Sequence, residues 1–135
     1  MGSLSRFRKI VAIATIAIAL ATPAAWAQEF PFGLEMTLDA ERQPGSKRLP
    51  TLEVGDDGEV LVELWCKGGR ARFSIAGNSV VFMPGAMQQR NCPPAMAQAD
   101  DALLAALAEA TSWSRQGDLI SFVGAQTLRF RLNTN

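Results

Sequence analysis

The sequence predicts a mainly β, α+β fold: a curved antiparallel sheet or incomplete β-barrel, interrupted by one helix near residues 95–111. Three observations carry this. Apolar and polar residues alternate with period two through most of the chain, the mark of half-buried strands. Gly, Pro and Asp punctuate these runs at short, regular intervals. Within residues 28–135 one long window, "AMAQADDALLAALAEATSW", lacks Gly and Pro and shifts to a helical period.

In chain order, "QEFPFG" is a lead-in. "LEMTLDAE" alternates Leu34, Met36 and Leu38 against Glu35, Thr37 and Asp39. "RQPGSKRLP" is a loop, "TLEV" a strand and "GDDG" a tight turn. "EVLVELWC" sets Val60, Val62 and Leu64 against Leu61, Glu63 and Trp65, completing a hairpin. "KGG" turns the chain, and "RARFSI" sets Arg70, Arg72 and Ser74 against Ala71, Phe73 and Ile75. After the turn "AGN" comes the strand "SVVFM", then the loop "PGAMQQRNCPP". In the helix, Met96, Leu103, Leu104, Leu107 and Thr111 fall near one side, and Asp100 and Asp101 stand toward its start, where carboxylates suit the dipole. "SWSRQ", "DLISFV" and "QTLRFRL" return to strands, with Leu128, Phe130 and Leu132 inward and Arg129 and Arg131 outward. The helix is expected to cover an open end or edge of the sheet and to bury its leucines there.

The N-terminus sets the compartment. Arg6, Arg8 and Lys9 precede an apolar, uncharged run that ends in "AWA". A basic head, a greasy middle and a small-x-small exit describe a secretory signal peptide cleaved after Ala27. The alternative is a retained membrane anchor, because Ile10–Ala27 is 18 residues, the short end of what spans a bilayer. Residues 1–27 are thus read as the signal and 28–135 as one domain, periplasmic or secreted, of a size that buries a modest core.

The leader holds three of the 13 basic residues and none of the 13 acids, so the remainder carries a net charge of −3. That balance disfavours nucleic acid, whose binding depends on phosphate neutralisation. Histidine is absent, which excludes Ser-His-Asp and Cys-His chemistry and removes the commonest metal ligand.

The chain has two cysteines, Cys66 and Cys92. They are too few for a zinc site and lack the C-x-x-C spacing of a redox motif. An oxidising compartment and an even count predict a disulfide, with two free buried thiols as the alternative. Asp56, Asp57 and Glu59 read as a solvated turn in preference to a calcium loop. Asp100 and Asp101 project about 100° apart on a helix and read as helix-start acids in preference to a catalytic pair. Arg70, Arg72, Arg129 and Arg131 form a basic patch if their two strands are neighbours. The plainer reading is the solvated face that any one-sided sheet needs. Trp65 and Trp113 are expected at the rim of the core, and Asn91 in a loop or cap.

The order of these elements resembles the META domain, the family that includes the heat-shock protein HslJ of bacterial envelopes. The carrying segments are "WCKGG" at Cys66, "QQRNC" at Cys92, the helix "ADDALLAALAEATSW", and the closing strands "WSRQGDLISFVGAQTLRFRL". They span about Leu64 to Leu132. Trp65 and Lys67 stand where the family's first cysteine motif has Gly and Asn. The resemblance implies a barrel-like antiparallel sheet interrupted by a helix, and an extracytoplasmic, stress-associated role without catalytic residues. "LWCKGGRARFSI" is also similar to a strand of the periplasmic lysozyme inhibitors of the MliC type. Their cleft-plugging Ser-Ala-Ser-Gly-like stretch is missing here, and a long Ala/Leu helix is out of place in them. The expected protein is therefore a non-enzymatic, monomeric binding or interaction module of the envelope. Its expected partner is an unidentified envelope protein or a small apolar ligand. No cofactor, metal, nucleic acid or lasting membrane span is expected.

Overall fold

The structure, a computed structural model, describes residues 12–18 and 29–133. The expected cleavage site, Ala25 to Gln28, lies outside the described residues. Among those described, no helix is long and apolar enough to cross a membrane.

Among the described residues, eight strands and one helix follow in order: β1 (Glu35–Leu38), β2 (Thr51–Val54), β3 (Glu59–Glu63), β4 (Gly68–Ala76), β5 (Ser79–Met87), α1 (Pro94–Glu109), β6 (Ser112–Gln116), β7 (Leu119–Val123) and β8 (Thr127–Leu132). Each strand pairs antiparallel with the next, and β1 also pairs with β8, so the sheet closes into a ring. The predicted mainly β fold with one inserted helix holds. The incompleteness expected of the barrel shrinks to a seam, where β5 and β6 meet at the single pair Ser79↔Ser112. Two flanking bonds support it, Val80 N–H to the Thr111 carbonyl at 3.1 Å and Trp113 N–H to the Asn78 carbonyl at 2.9 Å. Beyond Val80, α1 packs against β5 where the sheet would otherwise continue.

Alternation fills the ring. Met36 and Leu38, Leu52 and Val54, Val60, Val62 and Leu64, Phe73, Phe82, Ile120, Phe122, Phe130 and Leu132 all point inward and are buried. An eight-stranded ring leaves an interior that side chains just fill. Phenylalanine dominates it: Phe122 stacks on Phe73 at 5.2 Å and meets Phe130 edge-on at 5.7 Å. The lead-in is part of the core and not a loose tail. Phe30 is buried at one end of the ring, its ring edge-on to Trp113 at 5.0 Å.

Four local expectations change. Leu34 is exposed and precedes β1, because the chain reaches the ring only after the positive-φ turn at Gly33. The "KGG" turn moves back to residues 64–67, and both glycines join β4. The strand "SVVFM" runs on through Pro84 to Met87. Proline is tolerated there because alternation turns its nitrogen away from β4, toward the side where no strand pairs with β5. A bulge opposite Gly69–Ala71 takes up the register shift. It needs Gly85, whose added Cβ would stand 2.4 Å from the Arg70 carbonyl oxygen. Finally, α1 ends at Glu109, so Thr111 lies beyond it.

Candidate functional site

The turn between β3 and β4 is the point where helix, barrel and disulfide meet. Its amides converge on one carboxylate. Asp100 is fully buried. Its Oδ1 accepts the Trp65 N–H at 2.8 Å, and its Oδ2 accepts the Cys66 and Lys67 N–H groups at 3.2 and 2.8 Å. The carbonyls of the same turn are also taken. The Ser46 hydroxyl donates to Trp65 O at 3.0 Å, Arg48 donates to Leu64 O and Cys66 O at 2.8 Å each, and Arg90 donates to Cys66 O at 3.0 Å. Glu63 balances both guanidinium groups at 3.2 Å.

Asp100 is thus not a helix-start acid. It is the seventh residue of α1, past the first turn, and its oxygens face the barrel instead of the helix's own N-terminal amides. Asp101 points outward, with the Lys67 ammonium 3.5 Å away. The signal for Asp100 was present in the sequence. Residues 96, 100, 103 and 107 share the buried face, and an acid within such a stripe needs buried donors.

Cys66 and Cys92 form the expected disulfide, with Cα atoms 5.9 Å apart. It joins the turn to the segment leading into α1. That segment enters the helix through Pro93 and Pro94 without a side-chain cap. Proline suits the first helical position, where no N–H is needed.

One flank of α1 packs on β5, and the other leaves a cleft of about 240 Å³ at the mouth of the ring. Leu38, Trp65, Leu103 and Leu128 form its walls, with helix alanines between them and Gln43 and Gln126 at its rim. No charged residue lines it. On the other side of Trp65 lies a second depression of about 310 Å³, lined in part by Arg48, Cys66, Arg90 and Met96. Trp65 separates the two. Its indole N–H is buried and meets no acceptor among the described residues, so packing against its neighbours positions the ring. Chemically, the cleft offers apolar contact with amides at its edge. The nearby carboxylate, Asp100, is occupied by backbone donors.

The four arginines do not converge. Arg70 and Arg72 stand on β4 and Arg129 and Arg131 on β8, with β1, β2 and β3 between them around the ring. Arg70 pairs with Glu59, Arg72 donates to Asp57 O at 3.4 Å, and Arg131 lies 3.7 Å from Asp39. A patch from all four required adjacent strands, but β4 lies between β3 and β5 and β8 between β7 and β1. Asp57 accepts the Glu59 N–H at 2.9 Å, as a turn residue does. Among the described residues no group of three or more potential ligands gathers to hold a metal ion. Trp113 is buried in the core, with its indole N–H on Gly77 O at 2.8 Å, whereas Trp65 is the rim residue.

A family model described as the META domain matches residues 31–134. A solved structure described as "NMR structure of the protein" is similar in fold, with a TM-score of 0.58 and 17% identity over 74% of this chain and 89% of that one. No curated protein matches the chain.

Proposed function

The chain belongs to the META-domain family, and on that premise we propose that it is an exported, non-enzymatic envelope protein that binds an apolar group in the cleft beside α1. The cleft carries the proposal. It is a preformed, uncharged concavity with two amide side chains at its edge, the usual composition of a site that binds by burial and orients by a few polar groups. A non-catalytic role is supported by the absence of histidine from the sequence and by the saturation of Asp100 with backbone donors. Export is supported by the leader pattern and by the disulfide, which suits an oxidising compartment. A stress-associated role follows the resemblance to HslJ.

The test is recovery of partners by the purified protein from envelope extract, against an Ala102→Glu variant that places a charge in the cleft from an exposed position of α1. Retention of a component by the wild type and its loss in the variant, with the fold unchanged by circular dichroism, is the expected result. Equal recovery by both proteins refutes the cleft. The protein is expected to leave c-type lysozyme active at micromolar concentration, and clear inhibition moves the assignment to the lysozyme-inhibitor class.

A further inference from the structure

We propose that the Cys66–Cys92 disulfide is a redox control on the cleft: exchange with a dithiol oxidoreductase loosens the Trp65 wall while the barrel stays folded. This rests on the cleft being the binding site.

The two cysteines are held very differently. Cys66 keeps its place without the bridge, since its N–H goes to Asp100 and its carbonyl to Arg48. The helix likewise keeps Asp100, Leu103 and Leu107 buried against the barrel. Cys92 lies between the Gln88 N–H, bonded to Gly68 O at 2.7 Å, and Pro93, whose carbonyl receives the first helical amides. No backbone–backbone hydrogen bond joins residues 89–92 to the other described residues. Besides the bridge, the polar contacts that tie this segment to the turn among the described residues are those of the Arg90 side chain, with Glu63 and Cys66 O.

Opening the bridge therefore frees residues 89–93 first. Arg90, in the freed segment, lines the depression behind Trp65, so its release removes support from that side of the indole. Among the described residues no acceptor holds the indole N–H. The ring that yields is the wall of the binding cleft. Both cysteines are partly exposed, so a thiolate can reach the bond. One thiolate of the oxidoreductase attacks a cysteine sulfur, forming a mixed disulfide and expelling the other cysteine as thiolate. The second thiol then displaces the first cysteine. Two electrons and two protons reach the pair, and the oxidoreductase is left oxidised.

The experiment uses the full chain expressed with its own leader, isotopically labelled and purified as recovered. It is compared oxidised, reduced with dithiothreitol, and as the Cys66→Ser/Cys92→Ser double variant. Each form is titrated with the uncharged probe N-phenyl-1-naphthylamine. The reduced and double-variant proteins should keep dispersed amide spectra. Their shifts should concentrate at residues 88–98 and at the Trp65 indole N–H. Their probe Kd should rise about two- to tenfold, the cost of no longer having one side chain fixed in advance. Glutathione disulfide should reverse the change in the wild type, and dithiothreitol should leave the double variant unaffected. An unmoved Trp65 indole resonance with equal affinity makes the bridge a static staple and overturns the proposal. So does global loss of dispersion on reduction. If no form binds the probe, the cleft assignment fails, and the indole resonance alone still decides whether the bridge controls Trp65.

Discussion

At the scale of single residues, Asp100 organises the site. One carboxylate satisfies three consecutive amides that would otherwise be orphaned beneath a helix. Asp100→Ala is expected to destabilise the fold by about 3–5 kcal/mol, since it strands buried donors and opens a void. Asp100→Asn should cost less, because its amide oxygen still accepts. Chemical denaturation of the three proteins checks the order, and an alanine variant within 1 kcal/mol of wild type, roughly the value of one ordinary hydrogen bond, contradicts this account of the turn. The residue's position on the buried stripe was readable from its spacing with Met96 and Leu103. Its partners were not, because they are backbone groups some 35 positions away, and a backbone amide leaves no mark on a sequence. Trp65 was placed at the rim from its strand-end position alone. Trp113 had the same local signature but went to the core, because the lead-in supplies Phe30 to pack against it.

At the scale of elements, α1 and the bridge act together. The disulfide closes a loop of 26 residues, worth roughly 3.5 kcal/mol by loop entropy. Cys66→Ser should therefore lower the melting temperature by roughly 15–25 °C for a domain of this size, yet leave a folded protein at room temperature. Calorimetry on the two proteins measures this. A shift of a degree or two shows that the Asp100 clamp alone fixes the helix. The strands were legible wherever one face meets water and the other the core, as in Val60, Val62 and Leu64. The second half of β5 was not. Pro84 and Gly85 read as a loop, and only the unpaired edge and the bulge make a strand of them.

At the scale of the whole molecule, the fold class and the single inserted helix were legible because both depend on periodicity, which the sequence carries locally. Closure was not, because the β1–β8 pairing joins opposite ends of the domain and is set by twist and strand number. Export belongs to this scale too. Mass spectrometry of protein recovered from an expressing bacterium should find an N-terminus at Gln28, and an intact Met1 in the membrane fraction refutes cleavage. The seam has a consequence of its own. With a single strand pair between β5 and β6, the ring is an eight-stranded sheet bent until its two borders touch, and α1 is the wedge that conceals one of them. Whenever the wedge lifts, that border is open to a second molecule and becomes a nucleus for fibrils or swapped dimers. Pro84 sits on it with no N–H to offer, which interrupts the donor row a foreign strand would need. Pro84→Val should restore the row. Light scattering of the variant on mild heating should reveal aggregates at temperatures where the wild type stays clear, and identical traces would deny proline this protective part.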